Sequence, residues 1–118
     1  MDKRRSITII IGDAPYGTER AFSALRFVLA ALLQELNVNI FLIENGVYTG
    51  MNKQAPADYP SDSNLLIDAI GKGAVVKACM PCCKARGITL DDLVDGIQMG
   101  TINDLVGFVV NSDRTIFF

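Results

Sequence analysis

Short apolar runs rich in β-branched residues alternate along this chain with longer stretches in which apolar residues recur every three or four positions. Residues 6–11 form the first such run and read as a buried strand, stopped by Gly12-Asp13. After a turn over Ala14-Pro15-Tyr16-Gly17, Thr18 is placed to cap a helix, with Glu19 in its first turn complementing the dipole. Phe22, Leu25, Leu29, Leu32 and Leu36 then follow at helical spacing, predicting a helix to Glu35 or Leu36. Residues 38–43 read as a second buried strand. Residues 44–60 carry two glycines and two prolines and no clear period, a connection long enough to be a lid, a docking loop or a wall of the site.

Ser61 or Asp62 next caps a helix bearing Leu65, Leu66, Ala69 and Ile70 and ending at Gly71 or Gly73. Residues 74–78 read as a third strand that runs straight into Cys79. Gly87 is placed to close a short helix through Lys84-Ala85-Arg86. Thr89 with Asp92, and Thr101 with Asp104, resemble capping boxes in which Asp replaces Glu, predicting helices from Leu90 and Ile102. Residues 97–99 and 114–118 read as two further short strands. About five strands alternating with helices predict a mainly parallel sheet covered by helices on both faces, an α/β fold.

The 118 residues are one domain's worth, 1–118, and half of them are apolar. So apolar a composition in so short a chain, with a positive mean hydropathy of +0.30, predicts that part of the surface is buried against copies of the chain itself. A formal charge of −2 and only a short basic lead-in, Lys3-Arg4-Arg5, argue against nucleic acid as a direct partner. The apolar run at 7–11 is too short for a secretion signal, and no stretch reaches membrane-spanning length. The expected setting is the cytoplasm.

Candidate chemistry concentrates in three cysteines, Cys79, Cys82 and Cys83. An odd number crowded into five residues is no disulfide framework. With no histidine anywhere, every histidine-dependent triad and metal site is excluded. Cys79 follows a strand and precedes a helix, where unsatisfied N–H groups favour a thiolate, and Lys77, Lys84 and Arg86 lie close in sequence. Cys83 reads as a packing residue. Cys79-Met80-Pro81-Cys82 also reads as a zinc half-site, which lacks a second ligand pair in this chain, or as a thioredoxin-like dithiol. No metal or cofactor is expected. The Gly12 to Thr18 loop opens a helix, yet has neither the glycines nor the lysine of a phosphate cradle and reads as a structural turn. Glu44 reads as a solvated loop carboxylate rather than a general base.

Three segments carry a resemblance to the DsrE/DsrF family of small sulfur-relay proteins, in particular its YchN-like branch. They are Gly12-Asp13-Ala14-Pro15-Tyr16-Gly17-Thr18-Glu19, the stretch from Val76 through Cys79-Met80-Pro81-Cys82-Cys83 to Gly87-Ile88, and Asp95-Gly96-Ile97-Gln98-Met99-Gly100-Thr101. The resemblance implies a three-layer α/β/α fold, assembly into trimers or hexamers, and a persulfide on Cys79 exchanged with sulfur donor and acceptor proteins. A persulfide relay through Cys79 is therefore the first expectation. A dithiol oxidoreductase or redox sensor using Cys79 and Cys82 is the second, and a non-catalytic oligomeric binding protein the third.

Overall fold

The structure is a computed structural model that describes residues 4–118; Lys3 of the basic lead-in lies outside the described residues. Five strands, β1 (Ser6–Ile11), β2 (Asn37–Leu42), β3 (Val75–Cys79), β4 (Ile97–Gly100) and β5 (Arg114–Phe117), form one all-parallel sheet in the order β4-β3-β2-β1-β5. Each parallel step needs a crossover, supplied by α1 (Arg20–Leu33), α2 (Asp62–Gly71), the short α3 (Met80–Ala85) and α4 (Ile102–Val110). The first three connections step steadily towards β4. The fourth returns from β4 across the sheet to β5 at the other edge.

Period-two alternation makes the two faces of the sheet chemically different. Ile7, Ile9 and Ile11 align through the register with Val38, Ile40 and Leu42, and these with Val76 and Ala78. This face is buried and apolar, and α1 and α2 pack on it side by side. The opposite face is mixed and presents Thr8, Ile10, Asn39, Phe41, Val75, Lys77 and Gln98. Among the described residues only α4 lies there: Thr8 Oγ1 donates to the Phe108 carbonyl at 3.1 Å, the Phe108 ring meets Phe41 edge-on, and Lys77 Nζ pairs with Asp104 at 3.3 Å. The layers are thus α/β/α, as expected, with one of them thin.

Several boundaries differ from the sequence reading for local reasons. Glu19, not Thr18, occupies the N-cap position of α1, but the Thr18 hydroxyl still accepts the Arg20 N–H at 3.3 Å while donating to Asp13 Oδ2 at 2.7 Å. The helix stops at Leu33, and Glu35 turns the chain into β2 with φ +63°. Ser61 caps α2, its hydroxyl accepting from the Asn64 N–H. The Thr101–Asp104 capping box starts α4 as predicted. Its Thr89–Asp92 counterpart starts only a single 3-10 turn, Leu90–Asp92. Leu93 there is extended and bridges Met51, and Val94 N–H donates to the Gly50 carbonyl at 2.9 Å, so the chain is drawn out of helical geometry. Residues 44–60 are not irregular throughout: Glu44–Gly50 is a 3-10 helix whose own Val47 and Thr49 are buried.

Candidate functional site

The carboxyl ends of parallel strands gather the chain's connections, and here the ends of β2 and β3 bring two of them together. Cys79 is the last residue of β3 and the N-cap of α3. Pro81 fits in the first turn of α3, where a missing N–H costs nothing. Arg86 ends the helix, and Gly87, at φ +69°, makes the left-handed turn out of it. Cys82 and Cys83 therefore sit on the one and a half turns that follow Cys79.

Opposite them lies the start of the Glu44–Gly50 3-10 helix. The Glu44 N–H donates to Cys82 Sγ at 3.1 Å. Glu44 holds this position with φ +53°, a left-handed conformation that costs a non-glycine residue of order 1 kcal/mol. Arg86 fastens the two segments together. Its Nε and Nη2 donate to Asn45 Oδ1 at 3.1 and 2.9 Å, and its Nη1 donates to the Cys82 carbonyl at 3.0 Å.

The three sulfurs have different surroundings. Cys83 is wholly buried in the core, as its reading as a packing residue requires, and burial pushes its thiol up. Cys82 is half-buried. Cys79 is only 7% exposed, and its pKa is pushed up to about 11. Burial is the main cause; a hydrogen bond to the Cys82 thiol adds to it, and the Cys82 backbone N–H pulls the other way. This corrects the expectation of a thiolate favoured at Cys79. The strand-to-helix junction is where the sequence placed it, but in the single chain desolvation outweighs the helix start. The three basic residues named from the sequence do not offset it. Lys77 is held by Asp104 and the Phe108 ring, Arg86 by Asn45, and Lys84 lies exposed in the last turn of α3. Cys82 Sγ is accordingly the outward sulfur of the pair, and it receives the Glu44 donor.

Sequence reasoning missed Glu44 N–H and Asn45 as parts of this site. No local signal marks a backbone N–H that reaches a sulfur 38 residues away. Among the described residues no group of three or more Cys, Asp or Glu side chains is placed to hold a metal ion, and no helix is long and apolar enough to cross a membrane.

Known proteins resemble this chain along nearly its whole length. The model of the DsrE/DsrF-like family matches residues 5–118. An uncharacterised protein of Methanocaldococcus jannaschii, MJ0989, is 54% identical over 111 residues, covering 94% of this chain and 97% of that one. YchN of Escherichia coli is 31% identical over 116 residues, covering 97% of this chain and 99% of its own. The crystal structure of the E. coli YchN protein superimposes with a TM-score of 0.92 over 97% of this chain and 99% of that one.

Proposed function

This chain belongs to the DsrE/DsrF-like family, which is associated with sulfur relay, and from that premise we propose that it carries sulfane sulfur as a persulfide on Cys79. The thiolate of Cys79 attacks the terminal sulfur of a donor protein's persulfide. A bond forms to that sulfur, the donor's cysteine leaves as a thiolate, and Cys79–S–SH remains. An acceptor thiolate repeats the exchange in the other direction. Nothing is oxidised or reduced overall, so access and a docking surface suffice without a general acid–base apparatus. The observation that carries the reading is the placement of Cys79 at the carboxyl end of β3, at the start of the short helix that carries the more exposed Cys82. Because Cys79 is shielded in the single chain, the incoming sulfur approaches from the Cys82 side. Thiols of this kind belong in a reducing cytoplasm.

The position of Cys82 in the first turn of the helix that Cys79 caps favours a second reading, a dithiol reaction that follows loading. Cys82 thiolate attacks the inner sulfur of Cys79–S–SH, a Cys79–Cys82 disulfide forms, and hydrosulfide leaves. The sulfane sulfur is reduced, the two cysteines are oxidised, and a cellular dithiol must restore them. Tandem mass spectrometry after incubation with a persulfide donor separates these readings. The relay predicts one added sulfur on Cys79, lost in Cys79→Ser and kept in Cys82→Ser. The dithiol reaction predicts free sulfide and a mass two hydrogens lower, both abolished in Cys82→Ser. No modification at any cysteine leaves a binding protein.

A homo-oligomer, trimer or hexamer, completes the proposal. Helix α4 has no buried residue, and Ile102, Val106, Val109 and Val110 are exposed on it, Val110 at 73%. A run of exposed valine and isoleucine is the kind of surface that copies of a chain cover. Light scattering should give a mass of several chains, reduced to one chain by Val106→Glu together with Val110→Glu. A single-chain mass for the unaltered protein refutes the assembly.

A further inference from the structure

The turn after β1 and the chain leading into α2 enclose a cavity of about 310 Å³, walled by Tyr16, Thr18, Glu19, Phe22, Tyr59 and Asp62. That volume is at the small end of the range for small-molecule sites. Its lining is unusual in charge. Two carboxylates and three aromatic rings contribute to it, and no lysine or arginine does.

Asp62 is the anomaly among these residues. It is 1% exposed, and neither carboxyl oxygen has a hydrogen-bond partner among the described residues. The position at the start of α2 does not account for it, because Ser61 supplies the cap. The Asp62 backbone N–H is already engaged, donating to Tyr16 Oη at 3.1 Å. Burial pushes the carboxyl up from its usual range. A buried carboxyl without a donor is costly, and natural structures rarely keep one without a partner that visits it. Aromatic faces attract cations as carboxylates do, and the Arg26 guanidinium already lies 5.5 Å from the centre of the Phe22 ring.

We infer that this cavity binds a small organic cation, a protonated amine, amidine or guanidine on an apolar body. Asp62 accepts the ligand's N–H donors, Glu19 adds to the negative potential, and the Tyr16, Phe22 and Tyr59 rings pack against the body. In the empty cavity the Asp62 oxygens are sealed from solvent. The ligand reaches them by turning aside a wall, and the Tyr59 ring, about half exposed, is the wall that swings, because the Tyr16 hydroxyl is tied to the Asp62 N–H and to Gln54. The site involves none of the cysteines and stands whether or not sulfur is relayed.

Calorimetric titration of the full chain with benzamidine and with benzamide, its neutral isostere, tests the inference. Benzamidine should bind one per chain with a millimolar or tighter Kd, at least about tenfold more tightly than benzamide. In Asp62→Asn the benzamidine affinity should fall to that of benzamide, while the melting temperature stays equal or rises because an unpaired buried carboxyl has gone. Equal binding of the two compounds, undiminished binding by Asp62→Asn, or no binding of benzamidine at millimolar concentration each overturns it. Light scattering in the same titration distinguishes the source of the cation. If benzamidine splits the assembly, a basic side chain of a second copy fills the cavity, and the free-ligand inference fails.

Discussion

Gly46→Ala should cost more than about 3 kcal/mol of unfolding free energy in a urea melt, and far more than any other glycine-to-alanine change between the strands. A Cβ at position 46 would lie 1.8 Å from the Ile11 carbonyl oxygen and 2.6 Å from its carbon. Both obstacles are backbone, and neither can yield cheaply, because the same Ile11 oxygen accepts the Ile43 N–H at 3.0 Å where β1 pairs with β2. The reason is proximity rather than backbone conformation, since Gly46 is not among the residues with positive φ. To make room, the 3-10 helix must lift from the end of β1, taking with it the Glu44 N–H on Cys82 and the Asn45 contact to Arg86. Gly107 is the control. It lies in the middle of α4 with nothing within 4 Å of its missing Cβ, so alanine there should stabilise by about 0.5–1 kcal/mol. Equal stability of Gly46→Ala and Gly107→Ala would contradict the packing described for the Glu44–Gly50 helix.

The second large effect is on thiol chemistry. With its pKa pushed up to about 11 from an ordinary 9.0, Cys79 should carry about a hundredfold less thiolate at pH 7 than an ordinary thiol. Alkylation of Cys79 by iodoacetamide, followed by peptide mass spectrometry, should therefore be slow at pH 7. It should climb about tenfold per pH unit up to about pH 11, since only the thiolate reacts. Cys82→Ala removes a hydrogen bond and a like charge that both hold the proton on Cys79, and it uncovers the sulfur as well. Burial remains in that variant, so the rate at pH 7 should rise by about three- to tenfold rather than return to that of a free thiol. A Cys79 that reacts at pH 7 as fast as a peptide thiol would show that the sulfur is neither shielded nor held by Cys82. The same rate measured on separated chains and on the assembly would tell whether neighbouring copies change that shielding.

The two cysteines also show where local pattern and tertiary environment part company. Strand, helix start and the fit of proline in the first turn of α3 follow from Val75–Cys79 and Met80–Ala85 themselves. Those features locate the thiols at the sheet's carboxyl edge. They do not say which thiol faces out. That is decided by the Glu44–Gly50 helix, which folds over the junction, aims one N–H at Cys82 Sγ and leaves Cys79 beneath. The cavity at Asp62 was hidden for a similar reason. Asp62 in the sequence is one of two adjacent residues able to cap a helix, and only the choice of Ser61 for that task leaves its carboxyl without a donor.

What the sequence by itself determined is the alternation of five strands with helices, the capping box of α4 and the left-handed Gly87 turn. Each depends on residues within a turn or two of one another, so spacing and residue type are enough. The tertiary structure alone decided the strand order, the thin cover of α4 over the second face of the sheet, the shielding of Cys79 and the unpartnered Asp62. These arise from contacts between residues tens of positions apart. Burial and hydrogen-bond partners there depend on what the fold brings near, which no local period of apolar residues encodes.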